Sequence, residues 1–144
     1  MPIADCTPHV VKEEKNAQGL VTYKEWSNGR WVKNQYNEKG QIVRYDLPYD
    51  RWATHQYNEQ GLLVKITNSN GQWEEWAYND QGLRTQYSNH TGAYMLAEYG
   101  PGGKIISYED DLGIKITCAS ELEKYLKHEG MSEEDFIKSL NYEV

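Results

Sequence analysis

Glycine recurs at Gly19, Gly40, Gly61, Gly82 and Gly103, each 21 residues after the last. Tyrosine stands four residues before four of them, at Tyr36, Tyr57, Tyr78 and Tyr99. A third column in the same phase is Trp31, Trp52, Trp73 and Tyr94, and a second glycine column is Gly29, Gly71, Gly92 and Gly113, with Asp50 in the remaining slot. A fixed period of this length is the signature of a repeat architecture. Two glycine turns per period leave two segments of about six or seven residues, a length that suits strands rather than helices. "Asn-Glu-Lys-Gly" after Tyr36 and "Ser-Asn-Gly" at 27–29 and 69–71 carry the residues that start turns and accept a positive φ. The segments between are β-formers, as in "Gln-Ile-Val-Arg-Tyr" at 41–45 and "Lys-Ile-Ile-Ser-Tyr" at 104–108. One repeat therefore reads as one β-hairpin. The chain from about residue 20 to 117 reads as a mainly β, antiparallel meander of nine or ten strands, an open curled sheet or a spiral.

Around this array the expected organisation is an N-terminal segment at 1–16, the repeat sheet at 17–117 and a helical cap at 118–144, all within a single domain. In the cap, Ser120 with Glu123 has the spacing of a capping box, and Gly130 suits the residue after a helix end. Ser132 opens a second helix that runs to Leu140. Leu122, Tyr125 and Leu126 form one apolar stripe and Phe136, Ile137 and Leu140 another, suited to covering an exposed end of the array.

The stretch Tyr57-Asn58-Glu59-Gln60-Gly61-Leu62-Leu63, followed by a Gly turn, Trp73 and then Tyr78-Asn79-Asp80-Gln81-Gly82-Leu83, resembles the RHS, or YD, repeat. That family shows Tyr-Asp-x-x-Gly-Arg-Leu, then a strand, a Gly turn and a strand back to Tyr. The resemblance covers roughly residues 17–113, with Asn where the family often has Asp and Leu or Gln where it often has Arg. It implies the strand-and-turn scaffold. Long arrays of the family form shells that enclose toxins or sit at cell surfaces, but four or five repeats are too few for a large shell. Choline-binding cell-wall repeats have a similar period, but their "Gly-Trp … Trp-Tyr-Tyr" pattern is not present.

Net charge is −7, and it is uneven: residues 1–118 hold 15 acidic and 12 basic residues, and residues 119–144 hold 7 and 3. No basic stripe is available to neutralise phosphates, so direct nucleic-acid binding and an anionic membrane are not expected. Two cysteines, Cys6 and Cys118, do not suggest a disulfide framework, and the opening residues lack an apolar signal region, so a cytoplasmic setting is expected. His9, His55, His90 and His128 are scattered without metal-ligand spacing, and neither a metal nor a cofactor is expected. "Gly100-Pro101-Gly102-Gly103" falls in the phase of a hairpin turn rather than a phosphate loop. Glu109-Asp110-Asp111 reads as a solvated turn, and no enzyme constellation emerges.

With 12 Tyr and 5 Trp against one Phe, the chain carries more half-polar aromatic surface than a thin sheet can bury. Trp52 and Tyr57 are five apart, as are Trp73 and Tyr78, which places the two columns on opposite faces unless a bulge shifts the phase. Trp26 and Trp76 lie outside the strict columns. The second repeat breaks pattern at "Leu47-Pro48-Tyr49-Asp50-Arg51-Trp52", which suggests a specialised protruding loop. The candidate partner-binding residues are therefore Tyr49, Asp50, Arg51, Trp52, Trp73, Glu74 and Trp76. The expected function is a non-enzymatic protein-binding module of unknown oligomeric state, a small inhibitor or immunity-type protein of phage or mobile-element kind. It would block a host or competitor protein through its sheet face. The alternatives are a carbohydrate-binding repeat that uses exposed Trp and Tyr, and an acidic mimic of nucleic acid.

Overall fold

The computed structural model describes residues 6–142. Residues 1–5 of the expected N-terminal segment and the last two of the expected helical cap lie outside them. The fold is mainly β. The strands are β1 (Val10–Lys15), β2 (Val21–Trp26), β3 (Trp31–Tyr36), β4 (Ile42–Leu47), β5 (Arg51–Tyr57) and β6 (Leu63–Asn68). They continue as β7 (Trp73–Tyr78), β8 (Arg84–Asn89), β9 (Tyr94–Tyr99), β10 (Ile105–Asp110) and β11 (Lys115–Ile116), followed by the helices α1 (Ala119–Glu129) and α2 (Glu133–Leu140). All eleven strands lie in chain order in one open antiparallel sheet. The count exceeds the expected nine or ten because pairing with β2 draws residues 10–15 into the sheet, although they precede the first turn of the repeat.

Outside the turn at 48–51, the two turns of the period are one structure. At the first, the Asn37 N–H donates to the Gln41 carbonyl at 2.9 Å and the Gly40 N–H to the Asn37 carbonyl at 3.0 Å. At the second, Trp26 and Arg30 are joined at 2.8 Å, and Gly29 donates to Trp26 at 2.9 Å. The glycine is required because φ there is positive, 79° at Gly40 and 86° at Gly29. Asparagine is favoured at the start because its side-chain oxygen accepts two backbone N–H groups inside the turn: Asn79 takes those of Gln81 and Leu83, each at 3.0 Å. Asp110 does the same for Leu112 and Ile114 at 3.0 and 3.2 Å.

A β-bulge recurs with the period. Gln35 pairs with Arg44 but Tyr36 with Ile42, which skips Val43. Thr22, Thr85 and Ile106 are skipped in the same way on β2, β8 and β10. A bulge leaves ladder groups unpaired, and the tyrosine column serves them. The Tyr36 hydroxyl donates to the Val21 carbonyl at 2.6 Å and the Tyr99 hydroxyl to the Arg84 carbonyl at 2.8 Å, each the residue before a skipped one. Tyr78 reaches the Leu63 carbonyl across the same interval at 2.7 Å. This accounts for tyrosine rather than phenylalanine in the column, since each such bond contributes about 1 kcal/mol and its loss leaves a half-buried carbonyl unpaired.

The chain forms two compact units: the described residues through Gln56 with Ile66–Gln72, and Tyr57–Lys65 with the described residues from Trp73 onward. Among those residues the first holds eight Lys or Arg and six Asp or Glu, the second seven and fourteen, so the negative charge belongs to the second unit. The second unit has a covered core. Met95, Ala97, Ile105, Tyr108 and Ile116 on one sheet face pack against Leu122 of α1 and Phe136 of α2. Both helical stripes read from the sequence join this cluster, on the face of the last three strands, β9 to β11.

The expected capping box at Ser120 and Glu123 is not formed. The N-cap is Cys118, whose side chain makes no cap bond, and Glu121 reaches back instead to the Thr117 N–H and hydroxyl at 3.2 and 3.0 Å. Those bonds hold the Glu121 carboxyl below its ordinary pKa. Gly130 takes the left-handed C-cap, and Ser132 caps α2 by accepting the Asp135 N–H at 3.1 Å. Asp110, expected in a solvated turn, is only 8% exposed. It accepts the Tyr108 hydroxyl at 2.8 Å, and burial together with this carboxylate pushes the Tyr108 pKa up.

Candidate binding surface

In the first unit the register sets Tyr23 opposite Lys33, Lys33 opposite Asp46 and Asp46 opposite Trp52, one row across four strands. Trp31 and Trp52 share this face but not a row, because the register displaces successive hairpins by two residues: Asp46 stands in line with Tyr23, 23 positions on rather than 21. A shift of two keeps each column on its own face. The expected separation of the two columns holds in β3, where Trp31 and Tyr36 lie an odd number apart without a bulge in that strand.

Three aromatic rings of this face in the first unit, Tyr23, Trp31 and Trp52, each have a cation beside them. Lys12 lies 5.4 Å from the Tyr23 ring, Lys33 5.9 Å from Trp31 and Arg44 4.8 Å from Trp52. Tyr23 and Trp31 stack at 6.4 Å and 21°. The carboxylates are engaged as well. Arg44 meets Asp46 at 3.0 Å, Lys12 meets Glu14 at 3.3 Å, and Glu25 accepts the Tyr23 hydroxyl at 2.7 Å. That hydrogen bond leads the causes that raise the Tyr23 pKa. Each exposed pair contributes at most about 1 kcal/mol, so this face is held together weakly but at many points.

The turn at the edge of this face departs from the repeat. Tyr49 and Asp50 hold φ of 66° and 56°, and they are the non-glycine residues with positive φ among those described. The left-handed region costs an L-residue about 1 kcal/mol or more. Pro48 pre-sets the preceding φ, and Arg51 fastens the turn by donating from Nε to the Pro48 carbonyl at 3.0 Å. The Arg51 guanidinium lies 6.0 Å from the Tyr49 ring. Tyr49 is nevertheless 91% exposed, so the turn presents an aromatic side chain, with little contact of its own, on a strained backbone. Trp52 is the second residue of β5, its N–H and carbonyl clamped by Ser69 at 3.2 and 2.9 Å.

Thus Tyr49, Asp50, Arg51 and Trp52 lie together at one edge of the first unit. The other three candidates belong to the second unit and are placed differently. The Trp73 carbonyl accepts the His90 N–H at 3.1 Å, and its side chain is half-buried. Glu74 accepts the Tyr87 hydroxyl at 2.9 Å. Trp76 is 4% exposed and packs 5.8 Å from Tyr87, so it is interior rather than contact surface. Tyr23, Lys33 and Arg44 are not among the candidate contact residues, nor is Trp31, although it stands in the tryptophan column. The i, i+2 spacing of Arg44 and Asp46 on a strand was the available signal for their pairing.

His55 lies on the opposite, tyrosine face of β5, 6.0 Å from the Tyr45 ring, and its Nδ1 is buried without a hydrogen-bond partner. Burial lowers its pKa from the ordinary 6.5. The unfolded chain then binds the proton more readily than the folded one. The associated stability is present above about pH 6.5 and is lost as pH falls through the lowered folded value. The midpoint of urea unfolding is expected to fall between pH 7 and pH 5, and to fall less in His55→Phe. An equal fall in both proteins would assign the effect to other groups.

Among the described residues no group of three or more His, Cys, Asp or Glu could hold a metal, and no helix is long and apolar enough to cross a membrane. No protein-family profile matches the sequence, and no curated protein matches it. Solved structures do resemble the fold. In the crystal structure of TcdB2-TccC3-TEV the likeness has a TM-score of 0.56 at 17% identity, over 69% of this chain and 5% of that one. TcdB2-TccC3-Cdc42 gives 0.55, and the Photorhabdus luminescens Tc holotoxin pore carrying a TccC3 mutation gives 0.53, each at 17% identity over 69% of this chain. The chain spans about 5% of the length of those chains, and what it shares with them is a fold, the antiparallel β-hairpin meander.

Proposed function

We propose that this chain is a short RHS/YD-like β-hairpin array acting as a non-enzymatic, cytoplasmic protein-binding module. Within that class we place it as a small inhibitor or immunity-type protein, of phage or mobile-element kind, that blocks a host or competitor protein. The observation that carries the binding reading is Tyr49, 91% exposed at the tip of a turn with two successive left-handed non-glycine residues. Such strain persists where the exposed side chain has a use. A blocking protein gains from a turn whose backbone is already set, because less backbone freedom is lost on association. Tyr, Trp and Arg are also the side chains that dominate binding energy at interfaces, and Tyr49, Arg51 and Trp52 are adjacent here.

The test is Tyr49→Gly. Glycine removes the ring and relieves the left-handed backbone, so the variant should be as stable as the wild type or up to about 1 kcal/mol more stable. Tagged wild-type protein should capture a specific partner from host lysate, with affinity lowered at least tenfold in the variant. Loss of binding without loss of stability separates a contact role from a folding role. Undiminished binding would remove the turn from the interface. No protein partner combined with a positive glycan array would favour the carbohydrate reading.

A further inference from the structure

Arg84 stands in the column Val21, Ile42, Leu63, Arg84 and Ile105, where the other repeats are aliphatic. It is 6% exposed. Its guanidinium lies 5.9 Å from the Trp76 ring and 4.8 Å from the Tyr142 ring. The backbone is pinned: the Arg84 N–H donates to Asn141 Oδ1 at 2.6 Å, and its carbonyl accepts the Tyr99 hydroxyl at 2.8 Å. Asn141 is itself fixed by donating to Tyr99 Oη at 3.2 Å and to the Ile137 carbonyl at 2.9 Å.

The guanidinium has no carboxylate partner and no hydrogen-bond acceptor among the described residues. Glu74, on the same face of β7, is engaged by the Tyr87 hydroxyl. A second donor nearby is also unmatched: Trp76 Nε1 is buried with no partner. A buried charge is normally neutralised by a counter-ion, and a buried N–H by an acceptor. Aromatic rings satisfy only the faces of a guanidinium, while its five N–H groups point outward in the plane. The 6% of Arg84 that stays open to solvent is where a ligand would have to reach the fork.

We propose that Arg84, held beside Trp76 and Tyr142, is a receptor for an oxyanion that presents two oxygens in the guanidinium plane, a carboxylate or a phosphate. Independent of the turn at Tyr49, this site lies wholly within the second unit. It explains why a charge occupies an aliphatic slot of the repeat.

The test is a titration of the whole protein with sodium acetate and, separately, inorganic phosphate at constant ionic strength, with chloride as the control. The Arg84 Nε–H and the Trp76 indole N–H are followed by ¹⁵N NMR. Both signals are expected to move saturably with acetate or phosphate and not with chloride. Arg84→Leu should fold, because leucine or isoleucine fills this slot in other repeats, and should abolish the response. Arg84→Lys keeps the charge without the fork and should weaken binding at least fivefold. Tighter binding of acetate would identify a carboxylate source, and tighter binding of phosphate a phosphate ester. No response beyond chloride, or an undiminished response in Arg84→Leu, would overturn the proposal. Should Arg84→Leu fail to fold, wild-type affinity in Arg84→Lys would overturn it equally.

Discussion

Phe136→Ala is expected to cost the second unit about 3–5 kcal/mol, the usual penalty for emptying a buried aromatic site. Phe136 is 4% exposed and meets Tyr108 and Tyr125 edge-on at 5.1 and 5.4 Å. It joins both helices to the sheet face, since Tyr125 lies on α1 and Tyr108 on β10. Truncation removes both edge contacts and opens a void that rigid strands cannot collapse to fill. Urea unfolding followed by far-UV circular dichroism would measure it, with a lower midpoint and the helical signal lost first or together with the sheet. A cost under about 1 kcal/mol would mean that the helices are only loosely attached. This is the single Phe of the chain, and it sits where no bulge carbonyl calls for a hydroxyl.

The turns and strands of this fold were legible because each rests on a local requirement. A left-handed turn position demands glycine, an Asn side chain satisfies the turn's own N–H groups, and the intervals between turns are too short for helices. The apolar stripes of α1 and α2 were legible for a similar reason. Cross-strand consequences were not. The bulges at Thr22, Val43, Thr85 and Ile106 depend on pairing with a neighbouring strand, so the purpose of the tyrosine hydroxyls stayed hidden. The expected cap of α1 at Ser120 and Glu123 differs from the observed start because Thr117 and Glu121 offer a competing pair, bonded at 3.2 and 3.0 Å. At the candidate surface, the broken repeat at Tyr49 was visible as missing glycine chemistry. Its strain and exposure required coordinates.

Trp76 and Trp52 show most clearly what composition alone could not separate. Both are tryptophans on strands, and both were reasonable contact residues. Trp76 is even-numbered on β7 and shares a face with Tyr78, the side of the second unit that the core and helices occupy. Trp52 lies on the tryptophan face of the first unit, half-buried beneath Arg44. Trp76→Ala is therefore expected to destabilise by about 3–5 kcal/mol, and Trp52→Ala by about half of that or less. Trp76→Phe should cost far less than alanine, because it keeps a ring against Tyr87 and removes an N–H that has no partner. Binding should respond in the opposite order: Trp52→Ala weakens partner capture while the protein stays folded, and Trp76→Phe leaves capture intact. Chemical denaturation of the three variants alongside a binding titration would decide it. Equal destabilisation by the two alanine variants would mean that the tryptophan face is a core, and the contact surface would then have to be sought elsewhere.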